Sequence, residues 1–466
     1  MKKKVAFFGL CLGFFVVMMD TTTVPLIYTT IIRKYEVSPG SAAWINNAYL
    51  IIYAGFLLLG GRVGDAFNRR VVLSSALVIL AIGALISGLG QTLLHVIAGR
   101  AIMGIGAGLL APQSMAFISI LFAKGGRGAA LGIWGAVAGI ATATGPVITQ
   151  AILQVADWRW VMWINIPIAL LALLLAFSCL PTVTGNGAKT IELVISGLSG
   201  LALIAIVLGL EFLSNGGAAA LVGSIFFLLG ILVMVLIIRY DLKYDTHYLL
   251  SPDLWRDRPF LRACLISGLL GFSLTAFYLP LAFLFELRML FGPVEISFAM
   301  ITIALVNAIV GPFAGYFSDK IVPEIIVRVG MGCFALATLI IGSAGFVSFS
   351  VNSGFIIIIA GMLLAGIGTG LAFAPLANIA FGRASFTTVG RAAAFFNVIR
   401  QVMSALGSVI VALLFDHLVR FYRISTESLA LNLTSSAVAF AAFCCFMLIA
   451  FCLSLGAWLS RSQKII

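Results

Sequence analysis

The sequence predicts an all-α membrane protein made of two parallel six-helix bundles with two further helices inserted between them, about fourteen transmembrane helices in all. Three observations predict it. The chain is poor in charge, it is a succession of apolar runs long enough to cross a bilayer, and a set of motifs recurs in order in its two halves.

Of 466 residues, 62% are hydrophobic and 9% are charged. A soluble domain carries about a quarter of its residues as Asp, Glu, Lys or Arg, so lipid is the solvent for most of this chain. About 20 apolar residues span the hydrocarbon. Such runs fall at roughly 5–28, 43–62, 71–91, 94–121, 128–151, 160–180, 192–213, 218–239, 260–285, 296–317, 325–347, 354–381, 389–416 and 434–459. All are expected to be helices. A chain in lipid must satisfy its backbone within each segment, and the runs are too long for barrel strands.

The net charge of +12 could point to a nucleic-acid partner, but its placement argues against one. With the N-terminus inside, inner connections hold twenty of the 28 basic residues, among them Lys2–Lys4, Arg62, Arg69, Arg70, Arg127 and Arg391. Outer connections hold six (Arg33, Lys34, Arg159, Arg288, Arg420, Arg423), and Arg100 and Arg400 fall within spans. This bias places both termini in the cytoplasm. The seven cysteines lie in apolar runs without framework spacing and read as packing residues. Lys2–Lys4 before an apolar run is like a signal peptide. No small-residue cleavage site follows and Asp20 interrupts the run, so an uncleaved first span is expected.

The fourth span carries Gly104-Ile105-Gly106-Ala107-Gly108-Leu109 and reaches Pro112; the twelfth carries Gly366-Ile367-Gly368-Thr369-Gly370-Leu371 and reaches Pro375, an offset of 262 residues. Gly61-Arg62-Val63-Gly64-Asp65 after the second span matches Gly315-Tyr316-Phe317-Ser318-Asp319 after the tenth, at offset 254. Gly126-Arg127-Gly128-Ala129-Ala130 matches Gly390-Arg391-Ala392-Ala393-Ala394, at offset 264. Three matches in one order at nearly one offset indicate an internal repeat, with corresponding elements facing the same side. The expected units are 1–183, an inserted pair in 184–245, and 246–466; an even insert preserves orientation. Parallel halves around a midplane cavity suit alternating access.

The chain resembles the major facilitator superfamily, and more narrowly the fourteen-span drug–proton antiporters of the EmrB/QacA type. The resemblance rests on Asp20-Thr21-Thr22, Gly61-Arg62-Val63-Gly64-Asp65 with Arg69-Arg70, Arg100 with Gly104-Ile105-Gly106, and Gly145-Pro146. Trp158-Arg159-Trp160 through Asn165-Ile166-Pro167, and Asn397-Val398-Ile399-Arg400-Gln401, complete it. The chain departs from the family pattern at Pro25, Ala66, Asn68, Met103, Thr149-Gln150 and Glu286. The resemblance implies the major facilitator fold and proton-coupled efflux of amphipathic drugs or toxic small molecules across a bacterial inner membrane. Export of one native metabolite or siderophore-like compound is the alternative.

Asp20 lies past the middle of the first span. An ionised Asp at a helix centre costs about 2.5–3.5 kcal/mol on insertion scales, so it needs a cavity, a partner or a proton. It is the expected proton-coupling group; a structural carboxylate paired to a neighbouring helix is the plainer alternative. Arg100 is a permanent cation that could bias a nearby carboxylate, a role the resemblance also implies, or a structural arginine. Arg400 could contact substrate or pin two helices. Glu286, near the outer end of the ninth span, could attract cations or sit at a solvated rim. Trp44, Tyr49, Trp134, Phe277 and Tyr278 are candidate cavity aromatics, with Trp44, Tyr49, Arg400 and Glu286 as the expected substrate cavity.

Gly61, Asp65, Arg69 and Arg70 are the expected cytoplasmic gate, an acid among bases that can form a charge-assisted latch. The arginines also set topology, which Asp65 does not. Gly145 and Pro146 form an expected hinge, since proline removes a ladder hydrogen bond. The histidines His95, His247 and His417 are dispersed, and no nucleophile elbow or metal spacing occurs, so an intramembrane enzyme is not expected. No nucleotide-binding loop is visible, so an ion gradient is the expected driving force. No cofactor or nucleic acid is expected. The expected partners are a small-molecule substrate, protons and the bilayer, acting on a monomer. A periplasmic adaptor and an outer-membrane channel stay open as further partners.

Overall fold

The computed structural model describes residues 2–37, 39–185, 187, 190–214, 217–244, 252–291, 293–345, 351–382, 384, 388–425 and 431–460. Among them, fourteen helices are long and apolar enough to cross a membrane. They are α1 (Lys2–Ile27), α2 (Ser41–Ala66), α3 (Arg69–Leu89), α4 (Leu93–Leu121), α5 (Arg127–Val155), α6 (Arg159–Cys179), α7 (Ile191–Leu213), α8 (Ala219–Lys243), α9 (Arg258–Phe283), α10 (Glu295–Ser318), α11 (Pro323–Ala344), α12 (Gly354–Gly382), α13 (Val389–Val419) and α14 (Ser436–Leu459). The protein is an all-helical, multi-pass membrane protein.

Polar side chains start several helices where the backbone leaves N–H groups unpaired. Asn68 Oδ1 accepts from the Arg70 N–H at 3.1 Å, and Thr92 Oγ1 accepts from the His95 N–H at 3.3 Å. Asp257 Oδ1 does the same for the Phe260 N–H at 3.3 Å. The last turn of α1 narrows to a 3-10 turn, Val24–Ile27, where Pro25 is accommodated. A short helix, Tyr28–Tyr35, follows, with Arg33 and Lys34 in its last turn opposite the helix dipole's negative end. The helix that contains α13 runs on to Ser425, so Arg420 and Arg423 continue it rather than lying in a loop.

The glycine runs work by helical periodicity. Residues four apart share a face, whereas the residue between them points away. A Cβ on Gly104 would sit 2.6 Å from the Tyr49 carbonyl oxygen, and one on Gly108 would sit 2.8 Å from the Tyr53 oxygen, both on α2. Gly106 faces the other way, where a Cβ would lie 2.7 Å from the Ala76 oxygen on α3. The second copy repeats this. Gly366 meets the Ile303 oxygen on α10 at 2.9 Å, and Gly368 meets the Gly330 oxygen on α11 at 2.7 Å. One small-residue run thus lets α4, and likewise α12, approach two neighbours at backbone distance.

The packing partners repeat with a shift of eight helices. Helix α4 packs on α2 and α3 as α12 packs on α10 and α11. Helix α1 packs on α5 and α6 as α9 packs on α13 and α14. The cross-contacts repeat too, with α2 against α13 and α10 against α5. Helices α7 and α8 form a hairpin that docks through α7 on both α2 and α13. Ile206 and Leu210 of α7 and Val409 of α13 make a small apolar cluster there. Helix α8 leans mainly on α7 and is the least buried of the fourteen spans.

Gly106→Val and Gly368→Val are each expected to destabilise by about 1–3 kcal/mol through overpacking, with nearly additive effects because the sites lie in different halves. Thermal unfolding in detergent reads this as a lower midpoint for each variant and a lower one still for the pair.

Candidate functional site

Four helices meet at Asp20. Met18 and Thr22, four residues apart on α1, face a cavity; Asp20, between them, faces the interior of the first bundle. Asp20 is 1% exposed and Arg100 of α4 is 0% exposed. The Arg100 Nη1 donates to Asp20 Oδ2, forming a buried ion pair. Asn165 of α6 donates to Asp20 Oδ1 at 3.1 Å. Arg100 Nε donates to the Ile45 oxygen on α2 at 3.1 Å, and the guanidinium lies 4.4 Å from the Tyr49 ring. Tyr49 in turn donates to the Val17 oxygen at 3.2 Å. One carboxylate and one guanidinium therefore tie α1, α2, α4 and α6 together, while Arg100 Nη2 has no hydrogen-bond partner. Val24, Ile27, Ile31, Ile45, Val96, Trp158 and Met162 belong to a separate apolar cluster on the α1–α2 connection side. Beside it lies Tyr28, whose phenol burial pushes up to about 12, with Arg100 pulling it down and Glu211 pushing it up.

The two halves meet at the end of the bundle that carries Asp65, here termed the Asp65 face. Asp65 Oδ1 pairs with Arg69, and Asp65 Oδ2 accepts from both the backbone N–H and the Nε of Arg391, each at 3.1 Å. Arg391 opens α13, so the carboxylate caps a helix start in the other half, where the dipole favours it. Gln113 of α4 braces the site, accepting from Arg69 at 3.2 Å and donating to the Gly60 oxygen at 2.7 Å. Gly61 is required by the approach, since a Cβ there would sit 2.5 Å from Ala394 Cβ and 2.7 Å from the Gly390 oxygen.

The second copy mirrors this latch. Both oxygens of Asp319 accept from the Gly128 N–H at 3.0 Å, at the start of α5. Asn378 of α12 donates to Asp319 Oδ1 at 3.1 Å and accepts from Arg127 Nε at 2.9 Å. Each acid thus caps a helix of the opposite half. Arg62 pairs instead with Glu192 of α7, tying the inserted hairpin to the latch. Arg70 lies apart from the latch. Its guanidinium packs 4.4 Å from the Phe177 ring on α6 and reaches the Leu180 oxygen at 3.5 Å.

Away from the Asp65 face the halves separate around a cavity of about 910 Å³. Its walls come from α1, α5, α9, α10, α12 and α13, reaching Gln154 in the last turn of α5 and Ile296 in the first turn of α10. The lining is mostly apolar, with Phe14, Phe373 and Tyr278 as its aromatics. Trp134 stands behind the wall, stacked on Phe14 at 3.6 Å and on Phe373 at 6.2 Å. Arg400 lines the cavity. Trp44 does not, since its ring packs 5.8 Å from Phe212 on α7. Tyr49 belongs to the Asp20 cluster, and Phe277 is buried 5.5 Å from Phe334 and 5.6 Å from Phe446. The Glu286 side chain lies outside the described residues; its backbone sits in a π-helical turn, Leu284–Arg288. Gly145 lets Thr22 of α1 press against α5 beside the Asp20 site, and the helix runs on through Pro146, whose side chain is also outside the described residues.

Sequence reasoning named the acids but missed most of their partners. Asn165, Gln113, Asn378 and Glu192 are polar residues inside apolar runs, a signal available in the sequence, but their partners lie on helices distant along the chain. Arg127 and Arg391 stood in the repeated motif without a role. Hydrogen bonds to charged groups contribute about 1.5–3 kcal/mol, so Asp65→Asn is expected to raise the open-to-closed ratio of this face about tenfold or more. Labelling of Ala394→Cys by a maleimide, in a background without other cysteines, reads this as faster modification in the double variant.

Residues 10–408 match the profile of the Major Facilitator Superfamily. The chain is 29% identical over 400 residues to the puromycin resistance protein pur8 of Streptomyces alboniger, covering 84% of this chain and 77% of that protein. It is 24% identical over 400 residues to the riboflavin transporter RibZ of Clostridioides difficile, covering 86% and 85%. In structure it is similar to the human organic anion transporter MFSD10, with a TM-score of 0.68 at 15% identity over 98% of both chains. This chain belongs to the Major Facilitator Superfamily.

Proposed function

We propose that this transporter is a proton-coupled exporter of amphipathic small molecules, of the fourteen-span drug–proton antiporter kind, with the Asp65 face in the cytoplasm of a bacterial inner membrane. The observation that carries the reading is a buried Asp20–Arg100 pair one helix face away from a large, mostly apolar cavity. The lysine and arginine bias toward the Asp65 side supports the orientation. Similarity to a puromycin resistance protein supports drug export. A cavity enclosed by one chain supports a monomer as the working unit.

The geometry supports a simple coupling step. With the Asp65 face latched, cargo leaves by the opposite side and a proton from there reaches Asp20. Protonation removes the charge that Arg100 pairs with, while the Ile45 oxygen and the Tyr49 ring remain its neighbours. A guanidinium without its counter-ion is costly away from water, so the four-helix junction at Asp20 shifts to another arrangement. The latch opens as that equilibrium moves, because protonation favours one state over the other. Deprotonation toward the cytoplasm with new cargo bound restores the pair. Similarity to a riboflavin transporter supports a second reading, a dedicated exporter of one native metabolite.

Everted vesicles tested with a broad substrate panel, with and without a pH gradient, separate these readings. Gradient-driven export of several unrelated drugs supports the first, and export of a single compound supports the second. Transport indifferent to the gradient would overturn proton coupling. Asp20→Asn is expected to abolish drug-induced proton release; proton release equal to wild type rules out Asp20 as the coupling group.

A further inference from the structure

The cavity holds one full charge among its described lining residues, the guanidinium of Arg400 on α13. Arg62, Arg69 and Arg100, the most deeply buried arginines, each pair with a carboxylate. Arg100 has Asp20, Arg69 and Arg391 share Asp65, and Arg127 has Asn378 together with the Phe381 oxygen. Arg400 has only the side-chain amide of Asn397, three residues back, at 3.1 Å. Its Nε has no hydrogen-bond partner, and no carboxylate among the described residues pairs with it. Asn397 is itself held in place, donating to the Ala393 oxygen at 2.8 Å and the Met115 sulfur at 3.0 Å.

A guanidinium carries five donors and no acceptor, so most of the capacity of Arg400 stays available to the cavity. Its stem is fixed where it passes α9, since a Cβ on Gly271 would lie 2.8 Å from Arg400 Cγ. Its head lies 5.1 Å from the Phe373 ring, which also faces the cavity. A cation and an aromatic face thus stand side by side. The remaining polar lining consists of Thr, Ser, Gln, Asn and Tyr side chains and is neutral. Glu295, at the first position of α10, lies one residue before the lining residue Ile296 and is not itself in the lining.

We propose that the cargo is an amphipathic organic anion: one oxyanion group, a carboxylate, sulfonate or phosphate, on an apolar ring-bearing body. The oxyanion pairs with Arg400, whose planar fork matches it in a bidentate geometry. The body lies along Phe373 and Phe14. A cationic drug of the same shape meets a like charge and no acid on the described walls, so the cavity discriminates by repulsion as well as attraction. This inference rests on the export reading for its direction of transport but not for its binding chemistry.

The test uses the purified full chain in detergent with two probes of one shape, 1-pyrenesulfonate and 1-pyrenemethylammonium, by equilibrium dialysis. The anion is expected to bind about tenfold or more tightly than the cation, the size of a charge-assisted bond. Arg400→Lys is expected to keep the preference and Arg400→Gln to lose it, each first checked for a monodisperse folded species. Equal or tighter binding of the cation to wild type overturns the proposal without any variant. So does an anion preference that survives in folded Arg400→Gln. Proteoliposomes with an imposed pH gradient then address export separately. Anion-selective binding without gradient-driven transport upholds the anion site and overturns proton coupling; gradient-driven transport of the cation in preference does the reverse.

Discussion

An ionised side chain inside a membrane has no water to turn to, so the protein itself must supply every counter-charge and acceptor. Asp20 and Arg100 meet that constraint for each other, and the helices that carry them are held in register by it. Removing one partner of a buried pair typically costs about 3–5 kcal/mol, more than removing both. That asymmetry is the physical basis of the coupling step proposed for the pair. A single proton on Asp20 has the effect of deleting one partner, and the energy appears where α1, α2, α4 and α6 converge.

The same constraint shapes the latch at the Asp65 face. Asp65 and Asp319 each cap a helix of the opposite half, so closure satisfies carboxylates and helix ends together. Both latches use backbone N–H groups that are free only at a helix start, which ties the strength of closure to the distance between halves. Glycines permit that distance. Gly61 against Gly390 is one such contact, and Gly132 against Gly311 is another, with a Cβ on Gly311 only 3.2 Å from the Gly132 oxygen. These contacts stop about half-way along the spans, and beyond them the halves part around the cavity.

Arg400 stands against this background as the cavity charge that has no carboxylate partner among the described residues. Its neighbours fix its stem and leave its donors free, the arrangement of a preorganised binding group. The proposed coupling group and the proposed cargo group lie in different halves, Asp20 on α1 and Arg400 on α13. The cavity is lined by Phe14, Met18 and Thr22 of the Asp20 helix as well as by Arg400, so it touches both bundles.

The sequence by itself determined the fourteen helices, because apolar run length and the need to satisfy the backbone leave no other structure in lipid. It also determined the repeat, since Gly104, Gly106 and Gly108 reappear at Gly366, Gly368 and Gly370. Asp20 and Arg400 were legible as candidates because a charge in an apolar run is rare enough to need a reason, and Asp65 because it is an acid among bases in a short connection. What each charge pairs with was decided only by the tertiary structure. Asn165 lies 145 residues from Asp20 and Arg391 lies 326 from Asp65, and hydrophobic pattern carries no information about such pairings. For the same reason Trp44 and Tyr49, plausible cavity aromatics by type, sit against Phe212 and Arg100. A helix has several faces, and its neighbours decide which one becomes a wall, a latch or a seam.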